Sequence, residues 1–544
     1  MTRSNGAATG FAVSPEIPQH EVVVIGAGIG GICAGVKLQE IGIENFLIVD
    51  RIGGLGGTWY SHSYPDAGCD IPSTTYQFSF ARKPDWDRFF AKRDQILEYL
   101  EEVAANYDLP RRMRFHTTIV REEWDDQHAL WRLHTASGGV LTARFVISAV
   151  GAYINPKTAP NIPGLDSYTG VSMHPASWNH DFDFTGKRVA IVGVGASTMQ
   201  IAPKLAAQVE RLDIYQRTPQ VYLPKPDFVL RPWMQRLLAV PGGSAVANGL
   251  AQTVIDSMLR VAVYTPAPVW KIGARLVDFL GRNAYAGWVR YKVKDKAIRQ
   301  LLRPGFGIVC IRGGAGGDYL PTLNRDNVEL LTAGIAEITP TGIRSADGLE
   351  REIDALILAT GYEVFSDPES YKPGTVIGRD GFDLGAFYNT KELKAYYSTA
   401  VAGIPNRFIM IGPYSWTGTA FHYFVENAMR HIATVIDETR RRGATVVEVR
   451  AEAQERFHQE MLRSGRNLAY YLETRCSGSN SYFINSQGKS PYIRPWSLLK
   501  TYRKAVRFDR EDYSYRHSLE LEPVVLSGAE MEIARRPPAE IRTQ

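Results

Sequence analysis

The sequence predicts an α/β fold of two Rossmann-like units with a largely helical insertion. Three observations lead there: a strand, glycine turn, helix and strand in order over residues 22–50; the same order over 188–217; and helical spacing of apolar residues over 226–305. The 544 residues are enough for two or three domains. With 44% hydrophobic and 22% charged residues, the composition is that of a globular protein. A net charge of +5, from 62 basic and 57 acidic residues with no basic run, gives no sign of a nucleic-acid partner.

The first unit opens on VVVI (22–25), the apolar run of a strand buried on both faces, and continues into Gly26-Ala27-Gly28-Ile29-Gly30-Gly31. Gly26 permits the tight turn, Gly28 lets the backbone approach a pyrophosphate, and Gly31 lets helix and strand pack closely. The helix N-terminus then offers free N–H groups to phosphates. A second strand, FLIV, ends in Asp50, an acceptor for a ribose hydroxyl. In the second unit RVAIV leads into Gly193-Val194-Gly195-Ala196-Ser197-Thr198, and the strand RLDIYQ ends at Arg217-Thr218. Thr198 takes the third glycine's place, which leaves close packing there open. Arg217 stands where the first unit has Asp50. An acid suits a free 2′-hydroxyl and an arginine a 2′-phosphate, so the first unit is expected to bind FAD and the second NADPH. The plainer reading of Arg217 is a solvated arginine at a strand end.

The four cysteines (33, 69, 310 and 476) lie far apart and form no CxxC pair. From this we expect no disulfide framework, no metal cluster and a reducing, cytoplasmic setting. It also sets aside flavoenzymes that reduce a paired disulfide.

Residues 168–179 contain Tyr168, Gly170, His174 and Trp178, ending at Asn179. The run resembles F-x-G-x-x-x-H-x-x-x-W-[P/D], the fingerprint of Baeyer–Villiger monooxygenases, with Tyr168 for Phe and Asn179 for Pro or Asp. Gly56-Gly57-Thr58-Trp59, Tyr64-Pro65 and Asp70 are similar to a second motif of that family, departing at Asp66. The resemblance implies insertion of one oxygen atom from O₂ beside a ketone carbonyl, giving an ester or lactone through a C4a-peroxyflavin. Further, it implies that Gly57, Thr58 and Trp59 line the flavin and that Asp70 partners a catalytic arginine. Arg312 stands at the expected distance before NRDNVEL (324–330), and Arg325 competes for the role. Ile311 replaces a lysine common in relatives, which weakens the expectation of strict NADPH preference. His174 is expected to serve domain movement more than acid–base chemistry. Leu356–Tyr362 and Gly412–Ser415 resemble the family's hinge strand and its later flavin loop, and Gly313–Gly317 suggests a loosened segment after Arg312. The loop 476–490, with Tyr482 where relatives often have tryptophan, is expected to act as a lid. The aromatic residues Tyr414, Trp416 and Phe421 suggest an apolar guest.

The domain expectations are a mobile tail (1–19), an FAD unit (20–151 with 386–515), an NADP unit (152–225 with 326–385), a helical insertion (226–325) and a C-terminal extension (516–544). In the insertion, Trp233, Leu237, Leu238, Ile255, Met258 and Leu259 recur at helical spacing. A core or active-site cover is the expected use of that stripe, with a membrane surface as the alternative; membrane partners are not expected. Oxidation at nitrogen or sulfur, and an uncoupled NADPH oxidase or nucleotide-binding scaffold, remain the alternative functions.

Overall fold

The computed structural model describes residues 16–158 and 160–517. Most of the expected terminal tails, 1–15 and 518–544, lies outside those residues. Residues 16–19 are not loose: the Gln19 backbone N–H donates to Thr142 Oγ1 (2.9 Å) and Glu16 pairs with Arg132 (2.5 Å). At the other end, strand Tyr513–Arg516 pairs antiparallel with Val446–Val449.

Two sheets organise the chain. In the first, His20–Ile25 runs parallel to Phe46–Val49 on one side and to Val140–Ser148 on the other. Val140–Ser148 also takes Arg407–Ile409 in parallel, so a late segment completes an early sheet. The central residues Val22, Val23 and Val24 are fully buried, as an all-apolar run between two covered faces requires. The second sheet is parallel throughout, in the order Val328–Leu331, Arg211–Tyr215, Arg188–Val192, Ala355–Leu358, Val171–Met173.

Each sheet feeds a helix through its glycine turn, Ile29–Glu40 in the first and Ala196–Leu205 in the second. A Cβ on Gly31 would sit 1.9 Å from the carbonyl oxygen of Gly26, so that position admits no side chain. In the second unit the same place holds Thr198, fully buried, whose hydroxyl donates to the Gly193 carbonyl (2.9 Å). A hydrogen bond there replaces the bare backbone approach, which resolves the packing question raised by the third position.

The two crossings between the sheets are zipped together: Tyr153–Pro156 pairs antiparallel with Tyr362–Val364. Thr360 Oγ1 donates to the Lys157 carbonyl (2.5 Å) beside them. Val376–Ile377 already belongs to the first sheet, beside Ile119–Asp125. The chain therefore returns to that sheet before residue 376, earlier than the boundary at 386 expected from sequence.

Helices Pro232–Ala239, Gly243–Tyr264, Ala267–Lys292 and Lys296–Leu301 make up most of the insertion. Its stripe splits on folding. Ile255, Leu259 and Leu238 are half-buried, whereas Trp233, Leu237 and Met258 point outward.

Candidate active site

One cleft of about 2600 Å³ runs between the two sheets and is lined by both glycine turns. Ordinary small-molecule pockets hold about 300–1,000 Å³, so this one has room for two dinucleotides and a substrate. Gly28 and Gly57 meet backbone to backbone: a Cβ on Gly57 would lie 3.0 Å from Gly28 Cα, and one on Gly28 3.4 Å from Gly57 Cα. A Cβ on Gly195 would meet nothing within 4 Å and project into the cleft. Neither helix carries a side-chain cap, so the first-turn N–H groups face the cleft as donors for phosphate. These features fit two bound dinucleotides.

Asp50 lines the cleft but is partly engaged, accepting from the N–H groups of Ala27 (2.6 Å) and Ile52 (3.1 Å). Arg217 is exposed at the rim, with Thr218 beside it. Ile311 is buried in the cleft wall and offers no charge there.

Arg312 and Asp70, 242 residues apart, form an ion pair at 2.5 Å. Arg312 lines the cleft and keeps 35% of its side chain accessible. Asp70 beside it holds the guanidinium well above its ordinary pKa, against the opposing effect of burial. The phenols of Tyr482, Tyr153 and Tyr492 also face it; burial pushes Tyr482 and Tyr492 well up, so they stay neutral. Arg325 lies exposed, hydrogen-bonded to Asn327 (3.3 Å), and is absent from the cleft wall. The run after Arg312 is not loose. Gly314-Ala315 pairs with Tyr222-Leu223, and a Cβ on Gly314 would meet Met199 Cε at 1.8 Å. The missing side chains there are packing space.

The departures from the two motifs have local explanations. Asp66 adopts a left-handed backbone (φ 67°) and accepts from Lys92 (2.9 Å). Asn179 Oδ1 accepts from the Asp181 N–H (3.0 Å), the same turn an aspartate makes. Tyr168 uses its extra hydroxyl on the Ile353 carbonyl (3.2 Å), and its ring fills the space beside Gly170, where a Cβ would lie 2.3 Å from the phenol oxygen. Neither these two nor Trp178 touches the cleft. Trp178 stacks on Phe184 and leans on Tyr64, tying the linker to the loop that carries Asp70. His174 is buried edge-on to Tyr362, directly after the hinge glycine, and burial holds its pKa down.

Sequence reasoning missed three features of this site. His62, three residues after Trp59, reaches the Tyr362 hydroxyl (2.5 Å), and burial lowers its pKa to about 4, so it is neutral. Gln200, in the second unit's helix, accepts from Tyr64 (3.0 Å) and donates to the Gly68 carbonyl (2.9 Å). His62 falls on an unspecified position of the Gly56–Asp70 motif and Gln200 lies beyond the Gly193–Thr198 turn, so only tertiary contact shows their use.

The third is a disulfide between Cys310 and Cys476, which corrects the expectation of unpaired cysteines. A separation of 166 residues leaves no spacing signal. The pair forms because the loop before Arg312 docks on the end of helix Arg466–Arg475, with the Gly307 N–H donating to the Arg475 carbonyl (2.8 Å). It removes the cysteine-based argument for a reducing compartment. Cys33 and Cys69 are free and buried. The lid segment follows directly: Tyr482 lines the cleft, and Ser486 donates to Asp367 (2.7 Å).

The sequence profile of the pyridine nucleotide-disulphide oxidoreductase family matches residues 23–247, a span that excludes both bonded cysteines. A Baeyer–Villiger monooxygenase of Pseudomonas aeruginosa is 35% identical, over 83% of each chain. One from Streptomyces coelicolor is 32% identical, over 92% of this chain and 94% of its own. This chain belongs to the Baeyer–Villiger monooxygenase family. Among solved structures, an oxidized steroid monooxygenase bound to NADP superposes with a TM-score of 0.77 at 25% identity, covering 92% of this chain and all of that one. For this Baeyer–Villiger monooxygenase, then, the paired nucleotide units and the Arg312–Asp70 pair lie in one cleft within a family fold.

The disulfide makes a prediction. Closing so long a loop typically contributes about 2–4 kcal/mol. Cys476→Ser should melt at a lower temperature than the wild type, and dithiothreitol should bring the wild type down to the variant while leaving the variant unmoved. Identical melting under all four conditions would mean that the bond is not formed in the protein.

Proposed function

We propose that this monooxygenase holds FAD at Gly26–Gly31 with Asp50 on the ribose, and NADPH at Gly193–Thr198 with Arg217 on the 2′-phosphate. Gly57, Thr58 and Trp59 close on the flavin side of the cleft. Held there and reduced by NADPH, FAD would supply the O₂ activation that inserting an oxygen atom beside a ketone carbonyl requires. The chain's part is to hold a fixed positive charge where negative charge develops, to aim it, and to keep water away.

One observation carries this reading: Arg312 and Asp70 meet inside the cleft that both glycine turns line. Arginine stays charged and presents directed donors, so it stabilises developing anionic oxygen without reorganising. Asp70 orients it. The neutral Tyr482 and Tyr492 lie near it and would help keep out water, which otherwise diverts reducing equivalents to hydrogen peroxide. His174, through Tyr362, acts on the paired linkers rather than on the substrate. Trp416 and Phe421 line the cleft and suit an apolar ketone. Dependence on NADPH sets the work inside the cell.

Arg217→Ala should raise KM for NADPH far more than for NADH, since only NADPH carries the 2′-phosphate. Equal losses with both would remove Arg217 from that role. Arg312→Ala should keep its FAD and still oxidise NADPH, yet lose ester formation by about 10²–10³-fold and release hydrogen peroxide instead. Arg325→Ala serves as the control and should behave as wild type. Loss of ester in the control, with Arg312→Ala intact, would move the catalytic charge elsewhere. A wild type that oxidises sulfides or amines but no ketone would overturn the reading itself.

A further inference from the structure

Helices Gly243–Tyr264 and Ala267–Lys292 each turn an apolar face to water, and the first buries mostly polar residues in its place. On the first, the buried positions are Ser244, Gln252, Asp256 and Ala262, while Val246, Leu250, Val254, Met258 and Val261 are exposed. The outward residues recur at intervals of three and four, one continuous face; Met258 is 74% exposed. On the second, Trp270, Ala274, Asp278, Tyr285 and Val289 lie inward, yet Val269, Ile272, Leu276, Phe279 and Leu280 face outward, Ile272 being 72% exposed.

Both inner faces are seated on helix Arg466–Arg475. Asn467 donates to the carbonyls of Ala262 (2.9 Å) and Thr265 (2.8 Å), and Trp270 donates to the Asn467 carbonyl (2.8 Å). The Tyr471 hydroxyl donates to Asp278 (3.1 Å). Trp270 and Asp278 are thereby satisfied on the inner side, and the two apolar faces point away from the same support.

Charge indicates what meets them. Residues 231–292 hold eight basic and two acidic side chains, a net +6 against +5 for the whole chain, so the remainder carries −1. Both acids are buried and paired within their helices, Asp256 with Arg260 and Asp278 with Arg282. The exposed charges on this segment are all positive: Arg231, Arg236, Arg260, Lys271, Arg275 and Arg290. A basic rim around an apolar face complements a bilayer surface with anionic headgroups. A symmetric contact between two copies would instead set that rim against itself. No described helix is long and apolar enough to cross a membrane, so the contact is in-plane.

We propose that this face docks the enzyme on an anionic lipid surface, with Met258 and Ile272 entering the acyl boundary and the arginines and lysines meeting headgroups. The cleft lies one helix away: Ile255 Cγ2 comes within 3.5 Å of where a Cβ on Gly418, a cleft residue, would sit. Ketones dissolved in lipid are the substrate class this placement fits, a corollary that rests on the monooxygenase reading and is separate from docking.

The test is sedimentation of the FAD-loaded protein with vesicles of phosphatidylcholine, with and without about one third phosphatidylglycerol. Binding should rise at least ~10-fold with the anionic lipid and weaken in about 0.5 M salt. The double variant Met258→Asp/Ile272→Asp should lose it ~10-fold or more while keeping its flavin and its rate on a water-soluble ketone. A wild type that stays in solution, or a variant that sediments equally well, overturns the proposal. So does a wild-type dimer that the variant converts to monomer without any vesicle binding, since the occupant would then be a second copy. Because binding is read without turnover, its failure is distinguishable from failure of the monooxygenase assignment.

Discussion

A guanidinium paired with a carboxylate in the wall of the cleft is the constraint on which this structure turns. Removing a charge from water is costly unless a partner accompanies it, and Asp70 is that partner for Arg312. The two come from segments 242 residues apart, so neither local sequence nor one domain alone can set their separation. It depends on how the Asp70 loop is held against the second nucleotide unit, through Gln200 on Tyr64 and Gly68, and on how the Arg312 loop is held against the C-terminal lid, through Cys310–Cys476. The short strand pairing of Gly314-Ala315 with Tyr222-Leu223 fixes the other side of that loop.

The same contacts explain why catalysis and domain geometry cannot be separated here. The linkers Tyr153–Pro156 and Tyr362–Val364 form one ribbon, and the residues that grip it, His62 and His174, come from opposite units. Both imidazoles are driven toward the neutral form by burial, His62 to about 4. They serve as packing and hydrogen-bonding elements at neutral pH, with no charge to compete with Arg312. The family's fingerprint residues Tyr168, Gly170 and Trp178 line no part of the cleft, and their place on the linker accounts for that.

Much of this was legible in the sequence because the relevant physics is local. A glycine whose Cβ would collide with a carbonyl, as at Gly31, leaves a signature at one position, and Asp50 and Arg217 follow at a fixed count. What stayed hidden depends on long-range contact. Cys310 and Cys476 carry no spacing signal, Gly313–Gly317 reads as loose until Met199 is seen against it, and His62 sits at an unconstrained motif position. The insertion misleads for another reason. Periodicity finds an apolar stripe but not which way it faces: Ile255 and Leu259 turn partly inward beside the buried Asp256, and Trp233, Leu237 and Met258 turn outward.

If Asp70 acts only by holding and aiming Arg312, the two residues form one functional unit and their losses cannot add. A double-mutant cycle of Arg312→Ala and Asp70→Ala, read as ester formed per NADPH consumed, measures this directly. Asp70→Ala should lose less than Arg312→Ala, and the double variant should be no worse than Arg312→Ala alone. Losses that multiply in the double variant would show two independent contributions and contradict a single functional unit.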